Sequence, residues 1–143
     1  MKTKHDAAWS ICSKVIREAA NYTCQLCGKI SRNGENGMMD GAHNRSRRHN
    51  WTRYDPRNIA CLCRSCHMKT TEDPQAHVVF FREYFGDDIY ELMLQRSYKA
   101  WKVPKNFKKD IKTFYDAEYA RIMKMRDDGI VNKIRVQVPE ILE

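Results

Sequence analysis

The chain has 143 residues with 26 Lys and Arg against 18 Asp and Glu, a net charge of +8 and a mean hydropathy of −0.74. That length suits one domain with a modest core and argues against two independent ones. The basic excess points to a polyanionic partner, and no apolar run approaches the roughly 20 residues that cross a bilayer.

The N-terminal MKTKHDAAWS lacks the apolar centre of a signal peptide, so a cytoplasmic protein is expected. In a reducing compartment the six cysteines are not expected to form a disulfide framework, and two Cys-x-x-Cys pairs among them point to metal instead. Residues 6–20 have helical composition, with Asp6 as cap and Trp9, Cys12, Val15 and Ile16 towards one face. Asn21-Tyr22-Thr23 should end that helix and lead into Cys24-Gln25-Leu26-Cys27-Gly28, whose spacing is that of a zinc knuckle. The turn-rich stretch 31–37 is expected to be a loop. Met38 to Ala42 should form a short strand that delivers His43, followed by a basic loop to Asn50. Trp51 to Tyr54 is expected to begin the return, Asp55-Pro56 to turn, and Asn58 to Leu62 to run extended into Cys63. A helix starting at Arg64 or Ser65 would carry His67 in its first turn.

Beyond Glu72 the pattern is helical. Asp73-Pro74 reads as a cap and first helical position, with Val78, Val79, Phe81 and Phe85 as apolar mass. Gly86 should break the helix and Asp87 or Asp88 cap the next, which carries Ile89, Leu92, Met93 and Leu94. Residues 108–127 form the longest periodic segment, and Ile111, Phe114, Tyr115, Tyr119, Ile122 and Met123 form its core-facing stripe. The tail from Ile130 to Glu143 reads as a further strand or a loose arm.

The two Cys-x-x-Cys pairs, Cys24 with Cys27 and Cys63 with Cys66, match a tetrahedral structural zinc site. Four thiolates leave the ion no open position, so it would brace rather than catalyse. Cys61 falls outside the knuckle spacing and is assigned to the core, as is Cys12. Between the pairs lie His43 and Asn58, and His67 follows the last cysteine. A neutral imidazole at His43 suits a general base that takes a proton from water. Asn58 would tie the loop near His43. His67, one residue beyond the last cysteine, could equally complete a mixed zinc site or have no role, and on the first turn of a helix it is well placed to bind a second, catalytic divalent ion. Arg45, Arg47, Arg48 and Arg53 crowd the same stretch and are expected to hold phosphates. The later run of Lys99, Lys102, Lys105, Lys108, Lys109 and Lys112 reads equally well as phosphate contact or as a solvated face. His49 and His77 receive no role.

The order His43, Asn58, His67 beside two cysteine pairs resembles the HNH, or ββα-metal, endonuclease superfamily. A closer resemblance, over roughly residues 9–98, is to the NinG/Rap family of phage recombination endonucleases. It rests on Trp9-Ser10 and Ile16-Arg17 before the first cysteine pair, His43-Asn44-Arg45-Ser46-Arg47, Arg53-Tyr54-Asp55-Pro56-Arg57-Asn58, and Cys63-Arg64-Ser65-Cys66. The chain departs from that family in having His67 where Asn is common. Many HNH enzymes also carry an acidic metal ligand directly before the base histidine; here Ala42 stands there, and Asp40, two residues earlier and on the same strand face, is the replacement candidate.

The expected architecture is therefore α+β: a single domain over 1–143, with a zinc-stapled ββα hairpin core at about 21–72 and a helical extension at about 73–128. The expected activity is divalent-metal-dependent DNA cleavage with Mg²⁺ or Mn²⁺, and the resemblance implies branched recombination intermediates as substrate. If phage-encoded, such an enzyme would act in the bacterial host cytoplasm. One active centre cutting both strands of a junction would most simply work as a homodimer. The alternatives are an ordinary HNH nuclease on linear duplex and a zinc-stabilised DNA-binding or adaptor module without catalysis.

Overall fold

A computed structural model describes residues 6–143. Residues 1–5, half of the stretch read for a leader, lie outside the described residues. Among the described residues the architecture is α+β, with five α-helices and one small antiparallel pair of strands. Among the described residues no helix is long and apolar enough to cross a membrane.

Helix α1 spans Ala7–Ala19, and the Asp6 carboxylate accepts the Trp9 amide at 3.1 Å as its N-cap. Cys12 and Val15 are fully buried on its inner face, with Ile16 beside them. The helix ends at Asn21 and Tyr22, both in the left-handed region at φ +52° and +50°. That conformation is uncommon for a bulky residue such as Tyr22. It turns the chain at once into the first cysteine pair.

Strands β1 (Met39–His43) and β2 (Ile59–Cys63) pair antiparallel in the register Met39↔Cys63 through His43↔Ile59. All five residues of β2 are buried, as expected of the unbroken run Ile-Ala-Cys-Leu-Cys covered on both faces. Gly41 in β1 is required by packing rather than by its backbone angles. A Cβ there would lie 3.1 Å from both Ser13 Oγ and the Trp9 ring, so those two side chains of α1 would have to give by a few tenths of an ångström to admit it. Helix α2 (Arg64–Glu72) follows β2 without a linker, and the Cys63 sulfur accepts the Cys66 amide at its start.

Helix α3 (Pro74–Phe85) packs against α2, and α4 (Asp87–Tyr98) packs against α3. Asp73 caps α3 as its spacing predicts, accepting the amides of Gln75 and Ala76. The expected cap of α4 is corrected. Gly86 occupies the N-cap and offers no side chain, while Asp87 and Asp88 sit in the first turn, where carboxylates favour the helix dipole. The face of α4 that turns inward carries Tyr90, Met93 and Ser97 rather than the aliphatic set alone.

Helix α5 (Phe107–Asp127) lies along α1 in the most extensive helix contact of the molecule. Ile111, Tyr115 and Ile122 are fully buried there, so the periodic stripe is core. The Tyr115 hydroxyl donates to the Tyr54 carbonyl and ties α5 to the loop between the strands. Buried Glu18 sits between Arg32 and Arg126, and Arg126 also donates to the Ala19 carbonyl, closing the end of α1 against α5.

Three expectations outside the helices change. Trp51 to Tyr54 is a turn, not the start of a return strand, because His49 O accepts the amides of both Thr52 and Arg53. Asn58 ends a short 3-10 turn, Pro56–Asn58, and β2 begins only at Ile59. The tail is neither a paired strand among the described residues nor loose. Ile134 N donates to the Ala19 carbonyl at 2.8 Å, Ile134, Val136 and Val138 turn inward at every second residue, and Leu142 is fully buried.

Candidate functional site

The first cysteine pair sits in a tight turn flanked by a bridge between Thr23 and Ile30. Gly28 there has φ +80°, which a residue with a side chain rarely adopts. Gln25 N donates to the Cys61 carbonyl at 2.9 Å, so the turn docks on the edge of β2. The second pair straddles the junction of β2 and α2. All four sulfurs, from Cys24, Cys27, Cys63 and Cys66, lie within 4.8 Å of one another and could hold a metal ion. A tetrahedral zinc with bonds of about 2.3 Å spaces its sulfurs about 3.8 Å apart. Cys27 Sγ and Cys63 Sγ stand at 3.8 Å, so the set is compatible with zinc.

Within each pair the amide three residues on points back at the first sulfur, Cys27 N to Cys24 at 3.5 Å and Cys66 N to Cys63 at 3.4 Å. Burial works against ionisation of Cys24, but the amides of Cys27, Cys63 and Leu26 outweigh it and bring its thiol down to about 7. The thiolate is the ligand form. Cys61 is 1 % exposed and outside the cluster, and burial pushes its thiol up to about 12. Cys12, fully buried in α1, has its pKa raised for the same reason.

On the other side of the hairpin a groove of about 910 Å³ runs between α1, β1 and the start of α2. Asp40, His43 and His67 all line it. The ring of His43 packs against Trp9 from α1, the centroids 4.6 Å apart and the planes tilted by 32°. Its Nε2–H donates to the Arg53 carbonyl at 2.8 Å. A carbonyl can only accept, so Nε2 must carry the proton and Nδ1 keeps the lone pair. Burial pushes the imidazole pKa down to about 4; the Arg53 hydrogen bond opposes this, while the charges of Arg47 and Arg53 reinforce it. His43 is a neutral base of fixed tautomer.

Asn58 is fully buried beneath the loop that follows His43. Its Oδ1 accepts Arg45 N at 2.8 Å, and its Nδ2 donates to the carbonyls of Arg45 and Thr52, each at 3.0 Å. The Asn58 carbonyl also accepts Asn44 N at 2.8 Å. One amide thus fastens both limbs of the loop.

Asp40 and His67 come together from β1 and α2, with His67 Nδ1 3.0 Å from Asp40 Oδ2. Arg64, one helical turn before His67, reaches the same carboxylate, its Nη2 2.9 Å from Oδ1. Burial acts to raise the Asp40 pKa, yet the hydrogen bonds from Arg64 and His67 hold the carboxyl below its usual range. Ala42, by contrast, is buried and faces the core.

The arginines divide into two groups. Arg45 donates to Ser97 Oγ at 2.9 Å and lies over the Tyr98 ring, pinning the loop to α4. Arg53 pairs with Asp6 at 2.7 Å, and the same Asp6 oxygen accepts the Tyr54 hydroxyl. Those two side chains serve the fold. Arg47 and Arg48 line the groove, Arg47 lying 5.3 Å above the Trp9 ring.

Arg17, Arg64 and Trp9 also line the groove, and the sequence reasoning gave none of them a site role. Arg64 carried a signal, since it precedes His67 by three positions on one helix and must share its face. Trp9 carried a weaker one, an aromatic on a short amphipathic helix. Arg17, on α1, carried none. His77, left without a role, donates from Nε2 to the Asn44 carbonyl at 2.9 Å and so holds the residue after His43 from α3.

No family model matches the chain, no curated protein matches its sequence, and no solved structure matches its fold.

Proposed function

We propose that the chain is a divalent-metal-dependent DNA endonuclease of the HNH type, in which the strand–strand–helix unit is a ββα hairpin stapled by a structural zinc. The observation that carries this reading is His43. It is an imidazole held neutral, its Nε2–H committed to the Arg53 carbonyl, on the wall of the groove that also holds Asp40 and His67.

His43 Nδ1 would take a proton from a water whose oxygen bonds to phosphorus, while one ester P–O bond breaks and the departing oxygen is protonated from solvent. Asn58 would keep the loop after His43 from shifting. Arg47 and Arg48 would hold the flanking phosphates. Asp40 and His67 would hold Mg²⁺ or Mn²⁺. Neighbouring ligands of an octahedral ion with bonds of about 2.1 Å lie about 3.0 Å apart, and Asp40 Oδ2 and His67 Nδ1 are separated by 3.0 Å. When bound, that ion would stabilise the charge that develops on the phosphate and the leaving oxygen.

The test is cleavage of plain duplex and of four-way junction DNA by the zinc-loaded protein with Mg²⁺. His43→Ala is expected to abolish cutting while zinc content and DNA affinity stay within about twofold of the parent. Unchanged nicking by that variant refutes the mechanism. Preference for the junction supports a recombination substrate and a dimer acting on both strands; equal cutting of duplex assigns an ordinary HNH nuclease. Ala42, in the place of an acid before His43, favours the non-catalytic DNA-binding module. Metal-independent binding without cleavage by the parent protein would select it.

A further inference from the structure

The carboxylate of Asp40 is already held by a cation. Arg64 Nη2 lies 2.9 Å from Oδ1 and its Nε 3.4 Å from Oδ2, the oxygen that His67 also reaches. Two positive groups of this size cannot share one carboxylate cheaply when one of them is divalent. The Arg64 side chain is 60 % exposed and stands at the start of α2 on the groove wall, so it is free to swing without disturbing packing. Its backbone is fixed independently, because Arg64 N donates to the Met38 carbonyl at 3.0 Å.

Resting on the nuclease reading above, we propose that Arg64 is a tethered counter-ion that holds Asp40 until a divalent ion arrives, and then transfers its guanidinium to a backbone phosphate of the DNA. Both states of the side chain satisfy it: a carboxylate in one, a phosphate in the other, both matched by the planar guanidinium fork. The consequence is reciprocal. DNA that draws Arg64 away leaves Asp40 to the ion, and the ion that takes Asp40 releases Arg64 to the DNA, so each ligand tightens the other. The site then fills at lower ion concentration when substrate is present. Lys in this position would lack the fork and couple the two less well.

The experiment measures Mn²⁺ binding, not turnover. Free Mn²⁺ is followed by electron paramagnetic resonance in zinc-loaded full-length His43→Ala protein, with and without a short duplex, and corrected for Mn²⁺ bound by the duplex alone. Arg64→Gln in that background is expected to bind Mn²⁺ roughly tenfold more tightly without DNA. Duplex should tighten Mn²⁺ at least about fivefold when Arg64 is present and less than about twofold when it is Gln. Arg64→Lys should fall between. Mn²⁺ binding by Arg64→Gln no tighter than by its parent overturns the competition. An equal effect of duplex in both overturns the transfer to phosphate. Asp40→Asn separates this proposal from the reading beneath it. If that change leaves Mn²⁺ binding intact, the ion site itself is misassigned and both fall. If it abolishes binding while Arg64→Gln gains nothing, only the counter-ion role fails.

Discussion

His43 illustrates how a single residue acquires a role from its surroundings. An exposed imidazole would titrate near 6.5 and be partly charged at neutral pH. Here burial brings it to about 4. The sign of the stability effect follows. Between those values the unfolded chain binds a proton that the native fold refuses, so stability is full above about pH 6.5 and is lost as pH falls towards 4. From about pH 7.5 to about pH 5.5 the loss due to this group should be about 1 kcal/mol. Urea unfolding of the parent and of His43→Gln at the two pH values checks it, through the difference of the two differences. An identical pH dependence in both would mean that the native imidazole takes up its proton as it does in the unfolded chain. Asn58 shows the same dependence on context. In isolation it is a turn residue, yet three side-chain hydrogen bonds in a dry setting make it the fastener of the basic loop.

At the scale of the element, β2 does two jobs. All five of its residues are buried, and the last of them, Cys63, joins the cysteine cluster at the start of α2. Cys61 and Cys63 are of like chemistry and two residues apart, but only Cys63 stands among the four sulfurs. Metal analysis distinguishes them. Cys63→Ser should lose bound zinc and lower the thermal midpoint sharply, because structural zinc contributes folding free energy directly. Cys61→Ala should retain one zinc per chain and cost about 1 kcal/mol in lost packing. Retention of zinc by Cys63→Ser would reassign the cluster. Helix α1 is the other decisive element. Gly41 lets it lie close on β1, which brings Trp9 onto His43 and Arg17 to the groove.

For the whole molecule, the net charge of +8 is a statement about partners that the fold makes local. Arg17, Arg47, Arg48 and Arg64 surround one groove, whereas Arg45 and Arg53 are consumed inside the structure. If those four each neutralise a phosphate, the logarithm of duplex affinity should fall with that of salt concentration with a slope of about −3.6. Arg48→Ala should reduce that slope by about 1 and leave zinc content unchanged. A slope near zero, measured by fluorescence anisotropy, would remove DNA from the account. The C-terminal arm contributes at this scale too, with Leu142 fully buried and Ile134 bonded to the end of α1.

The α+β architecture, the helices and their order, and the four members of the cysteine cluster could all be read from the residues, because local spacing carries them. Helical periodicity, Asp73-Pro74 and Cys-x-x-Cys are relations among neighbours in sequence. Asp40 and His67 were expected at one site and stand 3.0 Å apart. But Ala42, placed by strand alternation on the same face as Asp40, is buried in the core, and Arg64 was given no part although its helical spacing from His67 carried the signal. What only the tertiary structure decided depends on groups distant in sequence. Arg53 offers its carbonyl to His43 and its guanidinium to Asp6, Arg45 is taken by Ser97, and the tail is held by the end of α1. An arginine that binds a neighbour and one that faces a groove are the same letter in the sequence. The difference lies in which partner the folded chain brings within 3 Å.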